Sequence, residues 1–189
     1  MEMILLPGIG NSGETHWQTH WERADERMRR FAPTNWDAPD LADWIAALER
    51  AVAVASTPPF LIAHSLSCLL VAHWARQSRL PVAGALLVAV PDPTSASFPQ
   101  AAAEFTLLDT ARLPFPTLLL ASSNDPYAAT SHAQHCARQW GSGLVELGEL
   151  GHINGASGLG DWPQGRALLT AFTAGLAVGG TDSGADGSM

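Results

Sequence analysis

Three residues of the chain have the side chains and the order needed for nucleophilic catalysis by a serine: Ser65, Asp125 and His152. A serine hydroxyl is a poor nucleophile near neutral pH, so it needs a base that accepts its proton. Histidine suits that step, and a carboxylate can orient the imidazole ring. We therefore predict that Ser65 is the nucleophile, His152 the general base and Asp125 the orienting acid.

Ser65 lies in a segment that reads as strand, sharp turn and helix. The apolar run 60–62 ends just before it, and an apolar helical stretch begins directly after it. This is the layout of a nucleophile elbow, in which the residues two before and two after the serine must be small. Ala63 and Ser67 occupy those positions, so the space is available although the usual glycines are missing. The alternative is a serine that caps an ordinary strand-to-helix turn.

The predicted acid and base each follow another apolar run. Asp125 comes after the run Thr117–Ala121, and His152 comes a few residues after Leu144–Leu147. The carboxyl ends of parallel strands share one edge of the sheet, where such sites assemble. The chain order Ser, Asp, His is characteristic of α/β-hydrolases.

Two other carboxylates compete for the orienting role. Asp92 follows the apolar run that ends at Val90, and Glu149 is the second candidate. Asp92 is the more serious rival, because a hydrolase can draw its acid from an earlier strand. Asp125 itself could be a simple turn residue before Pro126. The preference for Asp125 rests on the three groups that follow three successive strands in the expected order.

The negative oxygen of a tetrahedral intermediate needs hydrogen-bond donors, which two backbone amides can supply. Leu66 is expected to give one, as the residue after the nucleophile. The second is expected from the glycine-rich loop 7–13, from Ile9 or Gly10, with Asn11 next. The same loop fits the dinucleotide pattern Gly-x-Gly-x-x-Gly, but no acidic residue ends a following strand at the distance that this motif requires.

Short apolar runs alternate with amphipathic segments along the chain, which predicts the repeated strand and helix of a parallel sheet. A weak sixth strand is expected near Phe31–Trp36. The proline-rich segment Pro91–Pro116 is expected to cross the sheet edge as a small lid. The other predicted strands are Met3–Leu6, Phe60–Ala63, Ala85–Val90, Thr117–Ala121 and Leu144–Leu147, and the predicted helices are His16–Phe31, Leu41–Ala55, Leu66–Gln77, Tyr127–Trp140 and Gln164–Ala177.

Composition predicts one globular domain, residues 1–178, because 47% of the 189 residues are hydrophobic. Residues 179–188 hold no apolar side chain larger than alanine, so 179–189 is predicted to be a disordered tail. The net charge of -8 argues against a nucleic-acid partner. No signal peptide or membrane-spanning run is recognisable, so we expect a cytoplasmic protein with no membrane partner.

No cofactor or metal is expected. Cys68 and Cys136 are too few for a disulfide framework and are predicted to be buried thiols. His16 and His20 have a four-residue spacing that can place two imidazoles on zinc, but no third ligand is near in sequence. His16 and Trp17 are instead candidates for the border of the active site, because they follow the glycine-rich loop.

Seven short motifs are spread from residue 3 to about residue 175. As a set they indicate a protein family more specifically than any one of them does. They are Leu6-Pro7-Gly8, Asn11-Ser12, His16-Trp17-Gln18, His64-Ser65-Leu66, Asn124-Asp125-Pro126-Tyr127, Gly151-His152-Ile153-Asn154 and Gly160-Asp161-Trp162-Pro163. As a set they resemble the compact serine hydrolases typified by retinoblastoma-binding protein 9.

The resemblance implies a minimal α/β-hydrolase that lacks the first antiparallel strands. About six parallel strands in the order 2-1-3-4-5-6 would have helices on both faces, with the triad at Ser65, Asp125 and His152. Asn11 and Trp162 join the pocket candidates. The retinoblastoma-binding motif Leu-x-Cys-x-Glu is absent, so a partner of that type is not expected.

Two functions are compatible with this pattern. The first is hydrolysis of a carboxylic ester or related acyl bond of a small molecule, through an acyl-enzyme on Ser65. The alternative is a binding protein that keeps the fold with weak catalysis. The missing elbow glycines, at Ala63 and Ser67, motivate the alternative, whereas the intact serine, histidine and aspartate set favours the enzyme.

Overall fold

A computed structural model of the protein describes residues 1–106 and 112–179. In this part of the chain, strands alternate with helices as predicted. The strands are β1 Met3–Leu6, β2 Met28–Arg30, β3 Phe60–His64, β4 Gly84–Val88, β5 Thr117–Ala121 and β6 Gly143–Glu146. The α-helices are α1 Trp17–Ala24, α2 Leu41–Ala53, α3 Leu66–Ala75, α4 Thr130–Trp140 and α5 Pro163–Gly179.

The strands form one sheet in the order β2-β1-β3-β4-β5-β6, and every neighbouring pair is parallel, which confirms the predicted topology. The strands β1, β3 and β4 are buried at every position, as their unbroken apolar runs require. The chain moves outward from β1 to β2 and then returns to β3 on the other side. The crevice at the carboxyl ends of β1 and β3 is therefore the switch point where α/β folds bind ligands.

Helices cover both faces of the sheet. On β3, Leu61 and Ala63 pack towards the layer formed by α2, α3 and α4, whereas Phe60 and Ile62 pack towards α1 and α5. This alternation is the two-residue period of an extended strand. The two layers bury the sheet completely at its centre and leave its carboxyl edge to the loops.

Two observed elements differ from the predicted ones in their bounds. The sixth strand is β2, directly before the predicted Phe31–Trp36, and it places Met28 beside Met3 of β1. Phe31 is a core residue whose ring packs edge-on against Trp36. The first helix ends at Ala24 rather than Phe31, because the chain turns back towards β2 through a bond from the Met28 amide to the carbonyl of residue 25.

The segment between β4 and β5 contains a short 3-10 helix, Gln100–Ala102, and buries the side chain of Phe105. Residues 107–111 of the predicted lid lie outside the described residues, as do residues 180–189 of the predicted tail. Gly179, the first residue of that tail, is the last residue of α5. Among the helices described, none combines the length and the apolar character needed to span a membrane.

Candidate active site

Ser65 lies at a sharp turn between β3 and α3. Its backbone has φ 54° and ψ −124°, which is strained for a residue with a side chain. The Ser65 amide donates to the Val88 carbonyl at 2.9 Å, which holds the turn against β4. Ala63 and Ser67 are fully buried on either side of the turn, so their small side chains fit where glycine is usual.

The structure brings Ser65, His152 and Asp125 into one hydrogen-bonded chain. The Ser65 Oγ lies 2.7 Å from His152 Nε2, and both Asp125 carboxylate oxygens lie 2.9 Å from His152 Nδ1. The side chains of His152 and Asp125 are only 8% and 4% exposed. Since the carboxylate accepts from Nδ1–H, the lone pair of Nε2 is free to take the hydroxyl proton.

Hydrogen bonds from two side chains hold the loop that carries His152, one side chain from β3 and one from α1. Neither bond was predicted. His64 Nε2 lies 2.9 Å from the His152 carbonyl and donates to it, and Trp17 Nε1 donates to the Ile153 carbonyl at 2.8 Å. Ile153 itself has φ 48°, a strained value that such tethers maintain. No sequence signal identifies these bonds, because their partners are 88 and 136 residues apart.

The loop that carries Asp125 is joined directly to the loop that carries His152. Asn124 Oδ1 accepts from the Gly151 amide at 2.7 Å, and Ser122 Oγ accepts from the Leu150 amide at 2.9 Å. These bonds fix the separation of acid and base. Helix α4 begins at Thr130 rather than at the predicted Tyr127.

The rival acids do not reach His152. Asp92 accepts from the backbone and hydroxyl of Thr94, at 2.8 and 2.7 Å, and lies 3.7 Å from His132 Nδ1. Glu149 is exposed. Within residues 1–106 and 112–179, Asp125 is the carboxylate that contacts the His152 ring.

The amides predicted for the oxyanion hole differ in their availability. The Gly10 amide donates to the Trp36 carbonyl at 2.9 Å, and the Asn11 amide donates to the Gly8 carbonyl at 3.1 Å. The predictions of Gly10 and Asn11 as oxyanion donors are therefore wrong, because both amides already donate to other carbonyls. No described residue accepts a hydrogen bond from the amides of Ile9 and Leu66, and both residues border the cavity beside Ser65.

Gly8 lies directly against the proposed nucleophile. A Cβ atom added to Gly8 would lie 2.9 Å from the Ser65 Cβ, closer than packed side chains allow, and 3.4 Å from its Oγ. Glycine is therefore required at this position for close approach rather than for a special backbone angle. The sequence pattern places Gly8 in the glycine-rich loop 7–13 but does not reveal this contact.

We expect Gly8→Ala to lower kcat for ester hydrolysis by about ten- to a hundredfold, because a shift of even about 1 Å in a reacting group can cost this much. Gly13→Ala is the matched control from the same loop, since a Cβ there meets no atom within 4 Å. Steady-state kinetics of the two variants measures the difference. Equal activity in both would contradict the close contact between residue 8 and Ser65.

Two further histidines border the site and carry no charge at neutral pH. His16 caps helix α1, where its Nδ1 accepts from the Gln18 amide at 3.1 Å. Burial, together with the positive charge of Arg30, lowers the pKa of His16 to about 4. Burial also lowers the pKa of His64 well below its ordinary value.

The spacing of His16 and His20 does not form a metal site. His16 is the buried cap of α1, whereas His20 Nδ1 faces the exposed carboxylate of Asp161 at 3.0 Å. In the described part of the chain, no group of three or more histidine, cysteine, aspartate or glutamate side chains is placed to hold a metal ion. The cysteines, Cys68 and Cys136, are buried free thiols, and burial raises the pKa of both.

A cavity of about 250 Å³ opens beside Ser65. Its lining includes the predicted pocket residues Asn11 and His16, and among the described residues no Asp, Glu, Lys or Arg side chain lines it. Three residues of the segment between β4 and β5 form an apolar wall, and Tyr127 contributes an aromatic ring that packs 4.5 Å from the His152 ring. The wall consists of Pro91, Phe98 and Pro99.

The predictions of Trp17 and Trp162 as pocket residues are wrong. Both are buried in an aromatic cluster between α1 and α5, with their ring centroids 5.0 Å apart and Trp21 packed against each of them. Helical geometry explains the difference. His16 caps α1 at the site, while the next residue already points to the α5 side of the sheet.

Comparison with known proteins agrees with this geometry. The chain matches the family model described as serine hydrolase over residues 3–171. It is similar to a solved structure described as a YdeN-like hydrolase from Pectobacterium atrosepticum, with 36% identity, a TM-score of 0.83, and coverage of 93% of this chain and 91% of that chain. No curated protein sequence matches the chain.

Two more distant structures share the fold. The ydeN gene product from B. subtilis has 21% identity and a TM-score of 0.78, with coverage of 92% of this chain and all of that one. The alpha/beta hydrolase domain-containing protein 10 from mouse has 15% identity and a TM-score of 0.68, with 90% of each chain covered. At these identities the likeness concerns the fold alone.

Proposed function

The chain belongs to the serine hydrolase family, and on that basis we propose that it hydrolyses carboxylic esters or related acyl bonds of small molecules through an acyl-enzyme on Ser65. One observation carries the proposal. The Ser65 Oγ lies 2.7 Å from a histidine nitrogen whose ring is held at its other nitrogen by a buried carboxylate, 2.9 Å away. This geometry activates a hydroxyl for attack on a carbonyl carbon.

In the first half of the proposed reaction, Ser65 Oγ attacks the acyl carbon while His152 Nε2 takes the hydroxyl proton. The Asp125 carboxylate stabilises the imidazolium that forms. The carbonyl oxygen becomes an anion and accepts from the amides of Ile9 and Leu66, a single donor of this kind contributing about 2.7 to 4 kcal/mol. Collapse of the tetrahedral intermediate releases the alcohol, which receives its proton from His152.

In the second half, water attacks the acyl-enzyme and gives a proton to His152. A second tetrahedral intermediate forms with its oxyanion on the same two amides. Its collapse releases the carboxylic acid and returns the proton to Ser65 Oγ. The cycle therefore uses each group twice and needs no further reactant.

The cavity supports a small and uncharged substrate. A volume of about 250 Å³ is below the usual range for drug-sized ligands. Burying a charged substrate group there would be costly, because no Asp, Glu, Lys or Arg side chain of residues 1–106 and 112–179 lines the cavity to pair with it.

A panel of p-nitrophenyl esters tests this proposal. We expect kcat/KM to be highest for acyl chains of about two to six carbons and to fall at least about tenfold by ten carbons, since the longer chains exceed the cavity. Short acyl chains that end in a carboxylate or an ammonium group should react more slowly than their uncharged analogues. A preference for long chains would contradict the small-substrate proposal, and no turnover of any ester would contradict the ester proposal.

The binding-protein alternative was motivated by the missing elbow glycines. Ala63 and Ser67 fit at the elbow, so this reason for the alternative no longer applies. Three narrower points stay part of the proposal. They are membership of the group typified by retinoblastoma-binding protein 9, a cytoplasmic location, and the absence of nucleic-acid, membrane and retinoblastoma-type partners. The first of these rests on the seven motifs of the sequence.

A further inference from the structure

The serine two positions after the proposed nucleophile makes a contact that the usual glycine has no atom to make. Ser67 Oγ donates to the Pro7 carbonyl, with 2.5 Å between the two oxygens. Ser67 is fully buried, and Pro7 is buried as well. The bond joins the first turn of α3 to the loop after β1, across 60 residues of sequence. The Ser67 hydroxyl is thus directed away from its own helix.

The loop that receives this bond holds the second proposed oxyanion donor. The Pro7 carbonyl and the Ile9 amide are separated by the two backbone torsions of Gly8, and glycine restricts those torsions least. Gly8 must stay glycine because its backbone packs against Ser65. The direction of the Ile9 amide therefore depends on the turn bond from the Asn11 amide to the Gly8 carbonyl, at 3.1 Å, and on bonds made to the loop from outside.

Bonds from outside hold the loop on each side of Ile9. On the far side, the Gly10 amide donates to the Trp36 carbonyl at 2.9 Å. On the near side, the Ser67 hydroxyl holds the Pro7 carbonyl. Between these two points the Ile9 amide donates to no described residue, and Ile9 borders the cavity beside Ser65.

We propose that Ser67 is a positioning residue of the oxyanion hole, whose hydroxyl holds the Pro7 carbonyl so that the Ile9 amide faces the oxygen of the tetrahedral intermediate. This inference rests on the proposed function. The residue acts through the loop and does not touch the substrate. A purely structural role would instead satisfy the buried Pro7 carbonyl and affect only the stability of the fold.

Removal of the hydroxyl separates the two roles. We expect Ser67→Ala to lower kcat about fivefold while KM stays unchanged, the size expected when one hydrogen bond is expressed in the transition state. The inhibition constant of butaneboronic acid should rise by the same factor, because its adduct on Ser65 places an oxygen in the oxyanion position. The pH dependence of kcat should not move, since Ser67 does not contact His152.

Ser67→Gly repeats the test with the residue that is usual at an elbow, so that the result does not depend on the alanine methyl group. Ala63→Gly is the matched control, because it removes a buried methyl group from the other elbow position without removing a hydrogen bond. Both Ser67 variants should lose kcat and boronate affinity together, and the control should keep both within about twofold of wild type.

The outcomes identify which idea fails. The inference is overturned if both Ser67 variants have a lower thermal midpoint but keep kcat within twofold of wild type. Ser67 would then have only a structural role. An equal loss in Ala63→Gly, or a displaced pH profile, would also overturn it by indicating distortion of the whole elbow. The proposed function itself fails if wild-type protein neither hydrolyses the esters nor binds the boronic acid.

Discussion

Replacing Ser65 with alanine is expected to abolish ester hydrolysis, with a loss in kcat of about 10⁴- to 10⁶-fold, because the nucleophile and its proton are removed together. Covalent labelling by a fluorophosphonate probe should be lost as well. The thermal midpoint should change little. The Ser65 side chain contacts His152, whereas the bonds that hold the turn are made by its backbone amide and carbonyl.

Ser123→Ala is a suitable control, because this serine is exposed in the loop that carries Asp125. Its backbone amide, which the substitution keeps, donates to the Gly148 carbonyl at 2.9 Å. It should retain full turnover and labelling. Hydrolysis that persists in Ser65→Ala would exclude Ser65 as the nucleophile. If a variant loses activity because it is unfolded, the thermal scan and circular dichroism would detect the unfolding.

The central part of this fold was predictable because its strands are buried on both faces. Such strands need unbroken apolar runs, and the runs at β1, β3 and β5 were located within one residue of their observed ends. Parallel pairing then places every strand end at the same edge. Ser65, Asp125 and His152 follow three of those ends, which is why sequence order alone selected residues that the structure places in contact.

The features that were missed depend on contacts between distant parts of the chain. The strand β2 has three residues, two of them arginine, so it lacks the apolar run of a central strand. The Gly10 amide is unavailable because of a carbonyl at Trp36, in a loop with no periodic pattern. Whether Trp17 faces the cavity or the core depends on the angle at which α1 leaves its cap, which spacing does not determine.

The elbow illustrates the same limit for a single residue. Ser67 is recognisably small enough for its position from the sequence, because size is a property of the residue. Its hydrogen bond to the Pro7 carbonyl, 60 residues earlier, depends on the fold and has no sequence signal. Departures from a motif are thus best judged by the new contacts they make as well as by the space they need.

Asp125→Asn is expected to lower kcat by about 10³- to 10⁴-fold with little change in fold, because it alters which nitrogen of His152 carries the proton. Asp125 Oδ1 also accepts from the Tyr127 amide at 2.9 Å, and an asparagine oxygen can keep that bond. The asparagine NH₂ group then replaces Oδ2 opposite His152 Nδ1. A donor at that point favours the tautomer with its hydrogen on Nε2, which cannot accept the proton of Ser65.

Asp92→Asn is the matched control for this prediction, since Asp92 is the rival acid from the preceding strand and carries the same substitution. Its carboxylate binds Thr94 and lies 3.7 Å from His132, so kcat should stay within about twofold of wild type. Single-turnover kinetics with a p-nitrophenyl ester measures acylation in both variants directly. A large loss in Asp92→Asn with normal acylation in Asp125→Asn would assign the orienting acid to Asp92, and the bond between Asp125 and His152 would then be structural.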